Sequence, residues 1–246
     1  MTGMERNVII TGANRGIGKA MVATFASHGC NIWACARKEN PEFEQFIASL
    51  SSKHSVWIEP VYFELSDEQS VEKGLKRIFE ERKQIDVLIN NAGISTVGLL
   101  SQAKIQEIRD LFEVNYFSTL RIIQLVSKKM MLKRQGCIIN MASLAGIEPQ
   151  PGKIAYGSSK AAIIQMTKCL AKELGPVGIR VNAIAPGPVE TEMIKQYNDD
   201  MLSKLVSESS LKRLGKVEEI ATTAYFLASD EASYINGEII KVDGGR

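Results

Sequence analysis

The chain is poor in the residues that most often hold metals or staple small folds. Its 246 residues include two histidines and four cysteines, Cys30, Cys35, Cys137 and Cys169, none in Cys-x-x-Cys spacing. That scarcity argues against a zinc site or a disulfide framework, and no metal ligand set is expected. Charge of one sign is missing too: the net charge is +2, the pI is near 8.3, and no basic run could track a phosphate backbone, so no nucleic-acid partner is expected. No apolar stretch approaches the ~18 residues needed to span a bilayer. The opening, "MTGMERNVIITG", lacks the basic, apolar and small-residue regions of a signal peptide. A reduced, cytoplasmic chain without a membrane partner is the expectation. Repeats, low-complexity tracts and linker-like composition are absent as well, which leaves one domain over 1–246.

What is present is a core and an alternation. The hydrophobic content of 45% supports a sizeable interior. Short apolar runs at 7–11, 31–36, 55–64, 86–91, 137–143, 179–186 and 238–244 read as strands. Most are too uniformly apolar to face water on either side, the mark of parallel strands covered by helices on both faces. Amphipathic segments such as 17–28, 67–83, 105–134, 157–175 and 217–228 lie between them. This is the doubly wound α/β pattern, a Rossmann fold with a central seven-stranded parallel sheet flanked by helices. The polar stretch 188–213 interrupts the alternation and reads as a helical lid over a substrate.

Ligands in such folds bind at the carboxyl ends of the strands, so those ends carry the argument. The first is "TGANRGIG", Thr11–Gly18, with Gly12, Gly16 and Gly18 between strand and helix. Glycines there permit a tight turn, close approach of backbone to a pyrophosphate, and a helix N-terminus aimed at its charge. The second strand ends in "CARK", with Arg37 where NAD-binding chains place a carboxylate; with Arg15 it favours a 2′-phosphate, hence NADP(H). The third ends at Glu64 and Leu65, the fourth in "NNAG", Asn90–Gly93, and the fifth in "MASLAG", which puts Ser143 at the sheet edge. Asn115 lies in "FEVNYF" beside an apolar stripe, as a satisfied core amide or part of a polar site. In "YGSSK", Tyr156 and Lys160 stand four apart, side by side on one helical face. Taken alone that pair reads as a packed tyrosine with a snorkelling lysine.

"TGANRGIG", "NNAG", Asn115, Ser143, "YGSSK" and "PGPVETEM", in this order and spacing, resemble the short-chain dehydrogenase/reductase family from residue 7 to 245. "RGIGKA", "FLASDEASYINGEIIKVDGG" and the overall length are most similar to its 3-oxoacyl-[acyl-carrier-protein] reductases. The resemblance implies a catalytic tetrad of Asn115, Ser143, Tyr156 and Lys160, with Ser143 and Tyr156 also contacting substrate. It implies NADP(H) contacts at Gly12, Asn14, Arg15, Gly16, Ile17, Gly18, Arg37, Glu64, Leu65, Asn91, Ala92, Gly93, Tyr156, Lys160, Pro186, Gly187, Val189 and Thr191. Hydride addition to a carbonyl leaves charge on oxygen that must be stabilised and protonated. An unperturbed tyrosine, with a pKa of ~10, is too weak an acid for that near neutrality. A lysine charge ~5 Å away at an effective dielectric of ~20 contributes roughly 3 kcal/mol, or about two pH units, toward the phenolate. Asn115 would hold a water passing protons to Lys160, and the Gly and Ser residues of "YGSSK" would keep the shared face clear for substrate and ribose.

Two departures bear on the finer assignment. Glu64 stands where the family often has Asp or Asn at the adenine pocket. Carrier-protein reductases often present two basic residues to an acidic carrier; Arg134 fits the first position, but Val177 occupies the second. The expected activity, from the resemblance, is reduction of a 3-oxoacyl thioester on acyl carrier protein, and the departures point to a weakened carrier site or another substrate. The alternatives are the same chemistry on a sugar, steroid or other small alcohol or ketone, and, against the intact tetrad, a non-catalytic dinucleotide sensor. A homotetramer is expected, because 105–134 and 157–175 are apolar over more than one stripe.

Overall fold

A computed structural model describes residues 6–192, 194 and 198–246; residues 193 and 195–197, part of the expected lid and of "PGPVETEM", lie outside the described set. Seven strands, β1 (Asn7–Thr11), β2 (Asn31–Ala36), β3 (Ile58–Tyr62), β4 (Val87–Asn90), β5 (Gly136–Met141), β6 (Ile179–Pro186) and β7 (Ile239–Val242), form one sheet ordered β3-β2-β1-β4-β5-β6-β7. Every pairing is parallel. Along β1, Val8 and Ile10 join one core with Met21, Phe25 and Leu227, while Ile9 joins the other with Trp33, Leu75, Val126 and Ile163. Both faces are thus covered, which is why β1 reads as a continuous apolar run rather than an alternating one.

The helices on the first face are α1 (Gly16–Ser27), α2 (Pro41–His54) and α8 (Val217–Ala228). The second face carries α3 (Glu68–Glu80), α5 (Ser118–Lys133) and α6 (Ile154–Leu174), with α4 (Ile105–Phe112) leading into α5. Within the stretch expected as a lid, α7 (Asp199–Glu208) is helical.

Three features differ from the sequence reading. Segment 41–54, not singled out as amphipathic, is helical: Asn40 Oδ1 accepts from Glu42 N at 2.9 Å and from Phe43 N at 3.3 Å, and Pro41 sits at the first position, where its missing N–H matters least. The single helix expected over 105–134 is two, joined by a π-helical turn at Glu113–Phe117. The helix expected from 157 begins at Ile154, which places Tyr156 in its first turn.

Successive strands step outward from β1 to β3, then the chain returns to β4 on the other side of β1. The crevice between the carboxyl ends of β1 and β4 is the topological switch point, where such sheets bind ligands.

Candidate active site

The loops leaving β1 and β4 are sewn together by one threonine and one asparagine. Thr11 Oγ1 accepts from Asn91 N at 3.0 Å and Ala92 N at 3.1 Å, while Asn91 Nδ2 donates to the carbonyls of Thr11, at 2.9 Å, and Gly12, at 3.2 Å. Gly12 has φ +66°, and a Cβ there would meet Ala92 Cα at 2.9 Å. A Cβ on Gly18 would lie 2.0 Å from the Gly12 carbonyl oxygen, so the first turn of α1 packs directly on the loop. Arg15 precedes α1 without a side-chain cap, and no acidic residue occupies the first turn. Open backbone N–H groups and an absence of carboxylates there fit a pyrophosphate.

The two arginines expected at the 2′-phosphate flank this turn. Arg37 is 70% exposed at the side chain, and its Nε lies 3.9 Å from Glu64 Oε2. Arg15 pairs with Glu192 at 3.0 Å, and Thr191 lies against Gly16, where an added Cβ would meet its Cγ2 at 3.5 Å. Residues 188–192 are held by a parallel bridge between Val189 and Gly215, by Glu190 N donating to Gly215 O, and by Gly215 N donating to Pro188 O. Gly187 approaches Asp243 too closely for a side chain, with a Cβ 2.8 Å from its Cα. Leu65 contributes its carbonyl to Ser118 Oγ. Thr191 and the Asn91–Ala92 loop thus both lie against the Gly12–Gly18 turn, whose open backbone fits a dinucleotide.

Beyond the crevice, Ser143 follows β5 and its Oγ accepts from Ala145 N at 3.2 Å, capping a short helical turn at Leu144–Gly146. That turn lies against α6 at two glycines. A Cβ on Gly157 would stand 2.6 Å from Ala145 O, and one on Gly146 would stand 2.7 Å from the Lys160 carbonyl carbon. The small residues of "YGSSK" thus serve a different purpose from the open face expected: Gly157 admits the Ser143 turn, and Ser159 is fully buried, donating to Tyr156 O at 2.8 Å.

Lys160 is 5% exposed and its Nζ donates to Met141 O at 2.7 Å. Loss of hydration lowers its pKa to about 8. Its Nζ stands 5.8 Å from the Tyr156 ring centroid. Asn115, on the π-helical turn and 1% exposed, clamps the loop after β4: Oδ1 accepts from Ile94 N and Nδ2 donates to Ile94 O, both at 2.9 Å, with Ser159 Oγ also 3.1 Å from Nδ2. Its amide is engaged by protein rather than turned to Lys160, although both groups meet over Gly93, where a Cβ would lie 3.1 Å from Asn115 Oδ1 and 3.5 Å from Lys160 Nζ.

Other polar groups in this region escape a reading by motif. Asn90 Nδ2 donates to Asn140 Oδ1, and Asn140 Nδ2 to Thr167 Oγ1, each at 2.9 Å, tying β4 through β5 to α6 inside the core. Lys153, at the start of α6, is 6% exposed and bonds Ser95 Oγ. Asn140 signals itself in sequence only as a polar residue inside an apolar run, Asn90 belongs to "NNAG", and Lys153 follows a Pro-Gly pair with no such signal. By contrast Arg134, expected at a carrier protein, caps the far end of α5 with φ +51° and donates to Pro176 O at 2.9 Å. It lies at the amino end of β5, the opposite edge of the sheet from Ser143, with Val177 packed partly into the core beside it.

The chain matches known proteins over nearly its whole length. Residues 12–246 match a family model described as "Enoyl-(Acyl carrier protein) reductase". A relative in Escherichia coli (strain K12), 3-oxoacyl-[acyl-carrier-protein] reductase FabG, is 38% identical over 237 residues, covering 96% of this chain and 95% of its own. A crystal structure of 3-oxoacyl-[acyl-carrier protein] reductase from Brucella melitensis superposes with TM-score 0.90 at 33% identity, over 98% of this chain and 91% of that one. A solved "short chain dehydrogenase/reductase family protein" covers 100% of this chain and 98% of its own with TM-score 0.88 at 30% identity. Tyrosine and lysine one turn apart, a serine at the adjoining strand end and a glycine turn at the switch point thus meet in a chain that belongs to the short-chain dehydrogenase/reductase family, as an oxidoreductase acting on CH–OH or C=O groups.

Proposed function

We propose that the chain is an NADPH-dependent reductase of 3-oxoacyl thioesters carried on acyl carrier protein, with Tyr156 as the proton donor. The observation that supports the reading is the packing of the turn after Ser143 on the helix that carries Tyr156 and Lys160, in a chain 38% identical over 237 residues to a 3-oxoacyl-[acyl-carrier-protein] reductase. The reduced cofactor supplies the hydride. Gly12, Asn14, Gly16, Ile17 and Gly18 would receive its pyrophosphate at the start of α1, and Arg15 and Arg37 its 2′-phosphate, leaving their contacts with Glu192 and Glu64. Glu64 and Leu65 would border the adenine, Asn91, Ala92 and Gly93 the ribose, and Pro186, Gly187, Val189 and Thr191 the nicotinamide amide.

Ser143 Oγ would donate to the substrate oxygen, so the carbonyl is polarised before the proton arrives. Tyr156 would give that oxygen its proton, and the Lys160 ammonium, buried at 5.8 Å from the ring, would favour the resulting phenolate. Asn115 would act by holding the loop after β4 in place through Ile94.

A second reading, the same chemistry on a small free alcohol or ketone, is favoured by Val177 and Arg134. The first offers no charge to an acidic carrier, and the second is engaged with Pro176 at the far edge of the sheet. Turnover separates the two. Carrier-bound acetoacetyl thioester should be reduced with a KM at least ~10-fold below that of a free thioester, and NADPH should outperform NADH. Equal efficiency on free and carrier-bound thioester, or a clear preference for a sugar or steroid ketone, would favour the second reading.

A further inference from the structure

A lysine is almost never buried without a specific use for its charge, because removing water from an ammonium is costly. Lys153 is 6% exposed, three residues before Tyr156. Its Nζ donates to Ser95 Oγ at 3.1 Å. Ser95 lies in the loop that leaves β4 past the expected ribose contacts, and that loop is itself fastened to the turn ahead of α6. Gly98 N donates to Gly152 O at 2.9 Å, and Val97 lies against Gly152, where an added Cβ would meet its Cγ1 at 3.4 Å. So held, the ammonium stands 5.3 Å from the centroid of the Tyr156 ring, closer than Lys160 at 5.8 Å. One lysine precedes the tyrosine by three residues and the other follows it by four, each about one turn away.

We propose that Lys153 is a positioning residue for the proton of Tyr156: a second fixed cation that favours the phenolate left when the tyrosine protonates the substrate oxygen. The proposal rests on the proton-donor reading of Tyr156. The O–H bond of the tyrosine breaks, its proton joins the carbonyl oxygen as hydride from the reduced nicotinamide cofactor joins the carbon, and the phenolate later recovers a proton from solvent. Among the described residues around the ring, α6 supplies the charged groups Lys153 and Lys160. The elements packed against α6 supply the neutral polar groups Ser95 from the loop after β4, Asn115 from the π-helical turn and Ser143 from the loop after β5. A positive charge 5 to 6 Å away at an effective dielectric of ~20 lowers a phenol pKa by about one to two pH units. Removing it must therefore raise the pKa of Tyr156 by a like amount.

The test reads the tyrosine directly. The near-ultraviolet phenolate absorbance of the cofactor-free protein is titrated with pH in the parent, Lys153→Met and Lys153→Arg, each with and without Tyr156→Phe, so that the difference isolates one of the six tyrosines. The Tyr156 titration should move up by about one to two pH units in Lys153→Met and stay within about half a unit in Lys153→Arg. The acid limb of alcohol oxidation should move by the same amount. Lys153→Gln, which keeps a donor to Ser95, replaces Lys153→Met if the latter does not fold. A titration unmoved in the neutral variant, or moved equally in Lys153→Arg, overturns the proposal. Undiminished turnover in Tyr156→Phe would end the donor reading and the proposal together; abolished turnover with an unmoved titration ends the proposal alone.

Discussion

At the scale of the residue, Tyr156, Lys160 and Arg37 each make a distinct prediction. Tyr156→Phe deletes one oxygen and keeps the ring, so NADPH affinity should stay within about 2-fold while turnover falls by on the order of 10² to 10⁴. Steady-state rates with NADPH titration by fluorescence check it, and near-normal turnover would rule out the donor role. Lys160 makes a prediction about stability. Its pKa is about 8 in the fold against 10.5 in the open chain, so between those values the unfolded chain binds the extra proton and stability rises with pH. Below pH 8 the buried ammonium carries its full penalty, up to about 3 kcal/mol. Lys160→Met should therefore gain on the parent most near pH 7 and lose that advantage by about pH 10; denaturant titrations across this range would refute the account if the gap stayed constant. Arg37→Asp should weaken NADPH binding by about 1.5 to 3 kcal/mol and bring a second carboxylate beside Glu64. Coenzyme preference should shift toward NADH, and an unchanged ratio of the two affinities would leave Arg37 a surface charge.

Among the elements, the register between α6 and the Leu144–Gly146 turn decides whether serine and tyrosine meet. Gly157→Ala would bring a methyl group within 2.6 Å of Ala145 O, forcing the turn off the helix. A loss of about 1 to 3 kcal/mol is expected, with a fall in kcat larger than any change in NADPH affinity, because the displaced turn carries Ser143. Unaltered stability and rate would show that the contact relaxes freely. This glycine also marks a limit of reading from sequence. Helical spacing placed Tyr156 and Lys160 on one face, and the glycine turn after the first apolar run located the crevice. What Gly157 faces depended on a turn 11 residues earlier. Asn140 was unreadable for the same reason: it is a lone polar residue in an apolar segment, and its partners Asn90 and Thr167 appear only when β4, β5 and α6 are assembled. Helix α2 is announced by Asn40 and Pro41, but it fully buries only Phe43 and Ile47, with Phe46 and Leu50 half-buried beside them, which leaves a weak apolar stripe.

At the scale of the whole molecule, the alternation of apolar and amphipathic segments was enough for the sheet, since burying both faces leaves a continuous apolar signature in the central strands. Association is a separate matter. Ile105, Phe117 and Leu132, on α4, the π-helical turn and α5, are 64%, 52% and 79% exposed in the single chain. Apolar groups spaced along one continuous helical run are better covered than wet, in keeping with a tetramer whose copies pair through these helices. Sedimentation at micromolar concentration should give four times the 27.1 kDa chain mass, and Leu132→Glu should dissociate it; a monomer in the parent protein would refute the expectation.

The π-helical turn at Glu113–Phe117 has a consequence for which changes in length the chain tolerates. A π turn holds one residue more than the α-helical turn it replaces. Deleting Val114 would let α4 run unbroken into α5, and by local helix geometry nothing would be wrong. Because the π turn takes up its additional residue in place, the residues downstream would keep their facing relative to α4, and Ile122, Ile123, Val126 and Met130 would stay in the core. The cost would fall on the turn itself, where Asn115 would shift and its clasp on Ile94 would be lost. The additional residue therefore serves the placing of one amide rather than the packing of the helix that follows.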